Sequence, residues 1–121
     1  MNVNSVAELL SKSVKEDRDI HGLMVYNFPK QEVLASTFSP EETKKFMEVE
    51  KLYMDLELEH ATKVDPAGER NWLMVSLSRK IVYSVKITKD IHLYADLEPS
   101  EAPSAAIEDG LELALMIGRM L

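Results

Sequence analysis

The stretch from Asn71 to Leu97, NWLMVSLSRKIVYSVKITKDIHLYADL, constrains this chain more than any other. It reads as three consecutive β-strands joined by very short turns. Ile81, Tyr83, Val85 and Ile87 alternate with Val82, Ser84 and Lys86, and Ile91, Leu93, Ala95 and Leu97 alternate with His92, Tyr94 and Asp96. A period of two marks a sheet with one buried face. In the first of the three, Leu73, Val75 and Leu77 alternate with Trp72, Met74 and Ser76, and both faces are largely apolar. A meander cannot cover its own buried face. The rest of the chain must supply the cover.

Three helical segments are available. Ser5 and Glu8 fit a capping box, and Val6, Leu9, Leu10 and Val14 follow at helical spacing, which predicts a helix over about residues 5–16. Ser39-Pro40-Glu41-Glu42 is a strong helix start, with a good N-cap, proline at the first helical position and acids at the positive end of the dipole. Phe46, Val49, Leu52, Tyr53 and Leu56 then form one stripe, until Asp65-Pro66-Ala67-Gly68 breaks the pattern. Pro103 opens the last helix, where Ile107, Leu111, Ala114, Leu115, Ile117 and Leu121 give a wide apolar face. Gly110 and Gly118 within it suggest close approach to the sheet.

Between the first two helices, Ile20–Phe28 reads as a strand covered on both faces, with Gly22 admitting a neighbour. Pro29-Lys30-Gln31 turns the chain into a second strand, Val33–Phe38. The order is α-β-β-α-β-β-β-α. It predicts an α+β fold with a five-stranded, mainly antiparallel sheet, the crossover helix on one face and the terminal helices on the other. At 121 residues the chain is read as one domain, 1–121.

Chemistry is sparse. His21, His60 and His92 fall in different elements, and His92 is placed on the more polar face of its strand as a partly exposed residue. Glu57, Glu59 and His60 do not share one helix face, and Asp55 with Glu59 makes only a pair of carboxylates, so no metal site is expected. There is no phosphate-binding glycine loop, nucleophile elbow or zinc spacing, so no enzyme activity and no cofactor are expected. The net charge of −7 argues against nucleic acid and anionic membranes as partners. No apolar run approaches a bilayer span, no signal peptide is evident, and cysteine is absent, which together suggest the cytoplasm.

The stronger signal is surplus apolar surface. The crossover helix carries Phe46, Val49, Tyr53 and Leu56, with Met47 and Met54 off the main stripe. The first meander strand adds Trp72 and Met74, and has neither proline nor charge to block an edge. Such a strand invites pairing with its own copy about a two-fold axis. The competing reading is a small-molecule sensor with a cavity lined by Met24, Tyr26, Tyr83 and Tyr94.

Three segments also resemble the roadblock (dynein light-chain) family. IHGLMVYN at 20–27 looks like its first strand, VDP at 64–66 like the Asp-Pro before its third, and RNWLMVSLSRKIVYSVKITKDIHLYADLEP at 70–99 like its meander. The resemblance covers about residues 5–99, and the C-terminal helix is similar to that of longer members. Two features depart from the family: the Pro29-Lys30-Gln31 turn, and the charged crossover helix with Tyr53. The resemblance implies a non-enzymatic homodimer or heterodimer that regulates or scaffolds a Ras-like small GTPase or a motor complex. Its dimer contacts would fall on Phe46, Val49, Tyr53, Trp72, Met74 and Ser76, and Glu50 and Glu57 on the helix rim would meet the GTPase. Profilin-like cytoskeletal binding is a further alternative, resting on shared architecture alone.

Overall fold

A computed structural model describes residues 3–99 and 103–121, without the side chains of Glu57, Leu58, Thr62 and Pro103. The elements run α1 (Val3–Glu16), β1 (Ile20–Asn27), β2 (Glu32–Ser36), α2 (Pro40–Val64), β3 (Trp72–Ser76), β4 (Ile81–Lys86), β5 (Ile91–Leu97) and α3 (Pro103–Met120). The five strands form one antiparallel sheet in the order β2-β1-β5-β4-β3. The predicted element order and fold class are those observed.

The local signals explain most boundaries. The Ser39 hydroxyl accepts the Glu42 N–H at 3.1 Å and donates to the Glu42 carboxylate at 3.2 Å, so this side-chain pair closes the start of α2 behind Pro40. Asn27 caps the Pro29-Lys30-Gln31 turn by accepting the Lys30 N–H, and Gln31 takes the left-handed conformation there, at φ 52°. One expectation fails: α1 already includes Val3, so Ser5 lies inside the helix and not at its cap.

Alternation along the strands divides the interior into two cores. On one face Leu23, Val25, Tyr83, Val85, Leu93 and Ala95 pack under α1 and α3, against Val6, Leu10, Ala114 and Ile117. On the other, Met24, Tyr26 and Tyr94 pack under α2, against Phe46 and Met47. The central strand β5 is buried along its whole length, because it is covered on both faces. His92 is therefore only 4% exposed, not the partly exposed residue its polar neighbours suggested.

Two glycines carry the close contacts. A Cβ on Gly22 would run into the Phe38 ring, which packs edge-on against Phe46 at 4.7 Å and Tyr94 at 6.0 Å. A Cβ on Gly110 would meet the buried Tyr83 ring at 2.6 Å. Gly118 differs, since a Cβ there would make an ordinary 3.6 Å contact with Ile87. Gly22→Ala should therefore cost about 1–3 kcal/mol by overpacking. Gly118→Ala should be neutral or stabilising by up to about 1 kcal/mol through helix propensity. Urea unfolding of the two variants checks both signs.

Candidate functional site

The outer margin of β3 is the first component. β3 pairs with β4 in unbroken register from Trp72↔Val85 to Ser76↔Ile81. Lys86 donates to the Asn71 carbonyl and Leu77 to the Lys80 carbonyl, both at 2.8 Å, at the two ends of this ladder. Antiparallel pairs alternate between hydrogen-bonded and non-bonded positions. Counting inward from either end makes Leu73 and Val75 the bonded positions. The backbone N–H and C=O of Trp72, Met74 and Ser76 therefore point away from β4, toward the open side. β2, at the other margin, starts at the charged Glu32, and its pairing with β1 is interrupted by an irregularity at Val25/Tyr26. Charge and bulges blunt an edge, and β3 has neither.

The side chains of β3 divide by face. Trp72, Met74 and Ser76 oppose Val85, Tyr83 and Ile81 and so project to the α1/α3 side. There Met74 packs against the protein's own core, while Trp72 stays 47% exposed. Leu77, just past the strand, is 52% exposed.

The rotation of α2 is the second component, and it corrects the sequence reading. The inward face is Phe46, Met47 and Glu50, with Met54 and Ala61 partly buried along the same line. Phe46 was expected at a dimer contact. It is 8% exposed and stacks on Tyr94 at 5.2 Å inside its own protomer. Glu50 was expected on an outer rim, but it is 1% exposed. Glu57, the other expected rim residue, has its side chain outside the described residues. Val49 and Tyr53 lie partly buried on the flank, beside Leu52 and Leu56, which are 58% and 57% exposed. The apolar stripe is thus turned by about one residue step, roughly 100°, from the buried face and toward solvent. A groove of about 290 Å³ joins the end of this flank to the sheet margin, with His60, Val64, Trp72 and Leu73 in its walls.

A polar cluster holds α2 in this rotation. Tyr26 donates its hydroxyl hydrogen bond to the Glu50 carboxylate at 2.5 Å. Arg70, on the loop after α2, reaches the same carboxylate oxygen at 3.4 Å and the Ser84 hydroxyl at 3.0 Å. The Tyr26 and Ser84 hydroxyls lie 3.3 Å apart. Burial, then the Glu50 charge and hydrogen bond, push the Tyr26 hydroxyl far above its ordinary range, so it remains a donor. Removing one member of such a buried pair leaves the other uncompensated, at a cost of about 3–5 kcal/mol.

His92 stacks on Tyr26 at 5.8 Å, and its Nδ1 is buried without a hydrogen-bond partner. Burial first, then the Arg70 and Lys86 charges, lower its pKa to about 4. Met24, Tyr26 and Tyr94 fill the α2-side core and Tyr83 the opposite one, so the four residues expected to line a ligand cavity do not share one. Among the described residues, no group of three or more His, Asp or Glu side chains is arranged to hold a metal ion. No helix among them is long and apolar enough to cross a membrane.

Sequence comparison finds no matching family model and no matching curated protein. Structural comparison gives a fold likeness over nearly the whole chain. A roadblock/LC7 domain from Streptomyces avermitilis superposes with a TM-score of 0.81 at 10% identity, over 94% of this chain and 95% of that one. A structure of MglB with tetrameric arrangement gives 0.79 at 12% identity, over 97% and 88%. The gliding protein MglB from Thermus thermophilus gives 0.73 at 11% identity, over the same shares. The fold is that of roadblock domains.

The burial of His92 sets a pH dependence. Its folded pKa lies below the ordinary 6.5 of the unfolded chain, so between these values the unfolded state binds more protons. The neutral imidazole's contribution is intact above about pH 6.5 and is lost as pH falls toward 4. His92→Phe keeps the ring and removes the proton. Its unfolding free energy should fall less over that window than the wild type's; an identical fall would show that His92 is not the titrating group.

Proposed function

We propose that this chain is a non-enzymatic, dimeric roadblock-type regulator or scaffold, and that it acts in the cytoplasm on a Ras-like small GTPase. The observation that carries the reading is the coincidence of two unfinished surfaces. An edge strand without bulge or charge offers unpaired backbone groups at Trp72, Met74 and Ser76, and the exposed flank of α2 offers Val49, Leu52, Tyr53 and Leu56 beside it. Two copies related by a two-fold axis satisfy both at once: β3 pairs with β3, and the α2 flanks close over each other. Each unpaired backbone group then gains a partner, and the leucines leave water.

The partner class rests on the family resemblance and the shared fold. With Glu50 turned inward, the charged outer side of α2 consists of Glu48, Lys51, Asp55 and Glu59, all exposed. This side remains free when the apolar flank is covered, and it is where a GTPase would dock. No catalytic residue is assigned. Any effect on hydrolysis would come from positioning the GTPase's own groups.

Light scattering should give a mass near twice the 13.7 kDa of one chain. Leu56→Glu and Trp72→Lys alter side chains already in contact with solvent and should shift the mass toward the monomer without loss of fold by circular dichroism. A monomeric wild type, or two variants that stay dimeric, would overturn the dimer. Titration against a small GTPase loaded with GDP or with a GTP analogue tests the partner, with binding to one loaded form expected and binding to neither opposing the assignment.

A further inference from the structure

A cavity of about 240 Å³ lies between the second half of α2 and the end of the sheet where β5 begins. Phe28 and Pro29 of the β1–β2 turn and Met54 and Ala61 of α2 give it an apolar lining. Met54 and Ala61 belong to the inward line of α2. Val49, Leu52, Tyr53 and Leu56 are not among the described residues that line it. Closure of the α2 flanks in a dimer would therefore leave the cavity in place, and the inference below does not rest on that dimer.

The charged groups of the wall are mostly positive. Arg70 from the loop after α2, Lys86 at the end of β4 and Lys89 on the β4–β5 turn line it together with one acid, Glu69. Glu69 accepts a hydrogen bond from Lys86 at 3.1 Å, and Arg70 reaches Glu50 from the same wall at 3.4 Å. Lys89 is exposed and makes no ion pair among the described residues. Asp90, the next residue, is exposed and lies outside the lining. The described wall thus keeps a surplus positive charge.

His92 is the remaining polar residue of the wall. It is 4% exposed, yet its Nδ1 has no hydrogen-bond partner. Buried polar atoms are nearly always paired, because losing water without gaining a bond is costly. The stack on Tyr26 holds the ring in place. Burial and the nearby Arg70 and Lys86 charges keep the imidazole neutral at neutral pH, so one ring nitrogen carries a hydrogen that it can donate.

We propose that this cavity binds a small organic monocarboxylate, with its carboxylate held by Lys89 and the His92 ring and its apolar body against Phe28, Pro29 and Met54. The volume lies below the roughly 300–1,000 Å³ of a pocket for a drug-sized ligand, which is too little for a nucleotide. The apolar lining gives an inorganic ion nothing to pack against. A single surplus charge matches a carboxylate better than a phosphate monoester, which carries close to two charges.

The probes are benzoate, phenylacetate and hexanoate, each compared with its uncharged amide and with inorganic phosphate at constant ionic strength and neutral pH. The readout is the pair of ring-nitrogen NMR signals of His92 in the full chain. At least one of the acids should shift these signals saturably, and its amide and phosphate should bind at least about tenfold more weakly. Lys89→Gln should weaken binding of that acid about tenfold. Lys12→Gln, the same charge change at an exposed position on α1, should not. His92→Phe, followed by calorimetry, should also lose about tenfold. Circular dichroism confirms that each variant is folded. No saturable shift with any of the three acids, equal binding of the amide or of phosphate, or equal loss in Lys12→Gln and Lys89→Gln would each overturn the proposal.

Discussion

The arrangement depends on a carboxylate in an unusual place. Glu50 sits on the buried face of α2, 1% exposed, where an apolar residue would be the ordinary choice. It is tolerable there only because Tyr26 and Arg70 meet it, and these partners come from the sheet and from the loop after the helix. Their positions fix which side of α2 faces the sheet. Any other rotation would leave Glu50 without Tyr26 and Arg70 without Glu50. With the helix so held, Val49, Leu52, Tyr53 and Leu56 are carried onto the flank. The polar cluster within the protomer thus determines what the protomer shows to others.

Packing elsewhere follows the same division of labour. Gly22 lets the Phe38 ring lie against β1, and that ring joins Phe46 and Tyr94 in an aromatic cluster under the first half of α2. This half is anchored by rings. Beyond Glu50 the apolar residues Leu52, Leu56 and Val64 point outward at 57–69% exposure. α2 therefore changes along its length from a helix that finishes its own core to one that lacks a neighbour. The sheet changes in the same direction, from the fully buried β5 to β3, which has no buried residue.

Much of this was legible in the residues. The strand alternation, the Ser39-Pro40 start, the two apolar faces of the 73–77 stretch and the glycine in β1 gave the element order and the open margin. Two kinds of information were not. Alternation shows which residues share a face, not whether the polar face is also covered; His92 and Asp96 are buried because β5 is central, a consequence of strand order that no single strand records. A helical stripe likewise gives the most apolar direction. On α2 that direction is not the buried one, because the buried face is part charged and part of the apolar face is left over. Phe46 and Glu50 were misplaced for this single reason, and the clue was a glutamate at helical spacing from Phe46 and Met47, with a tyrosine and an arginine elsewhere in the chain to receive it.

We propose that another copy of the chain completes the margin of β3. Hydrogen exchange at the Trp72, Met74 and Ser76 amides, followed as a function of protein concentration, tests it most directly, because β4 does not occupy these N–H groups. Exchange there should be slow at high concentration and return to rapid on dilution, with the central β5 amides protected throughout. Rapid exchange at these three positions at every concentration would contradict it.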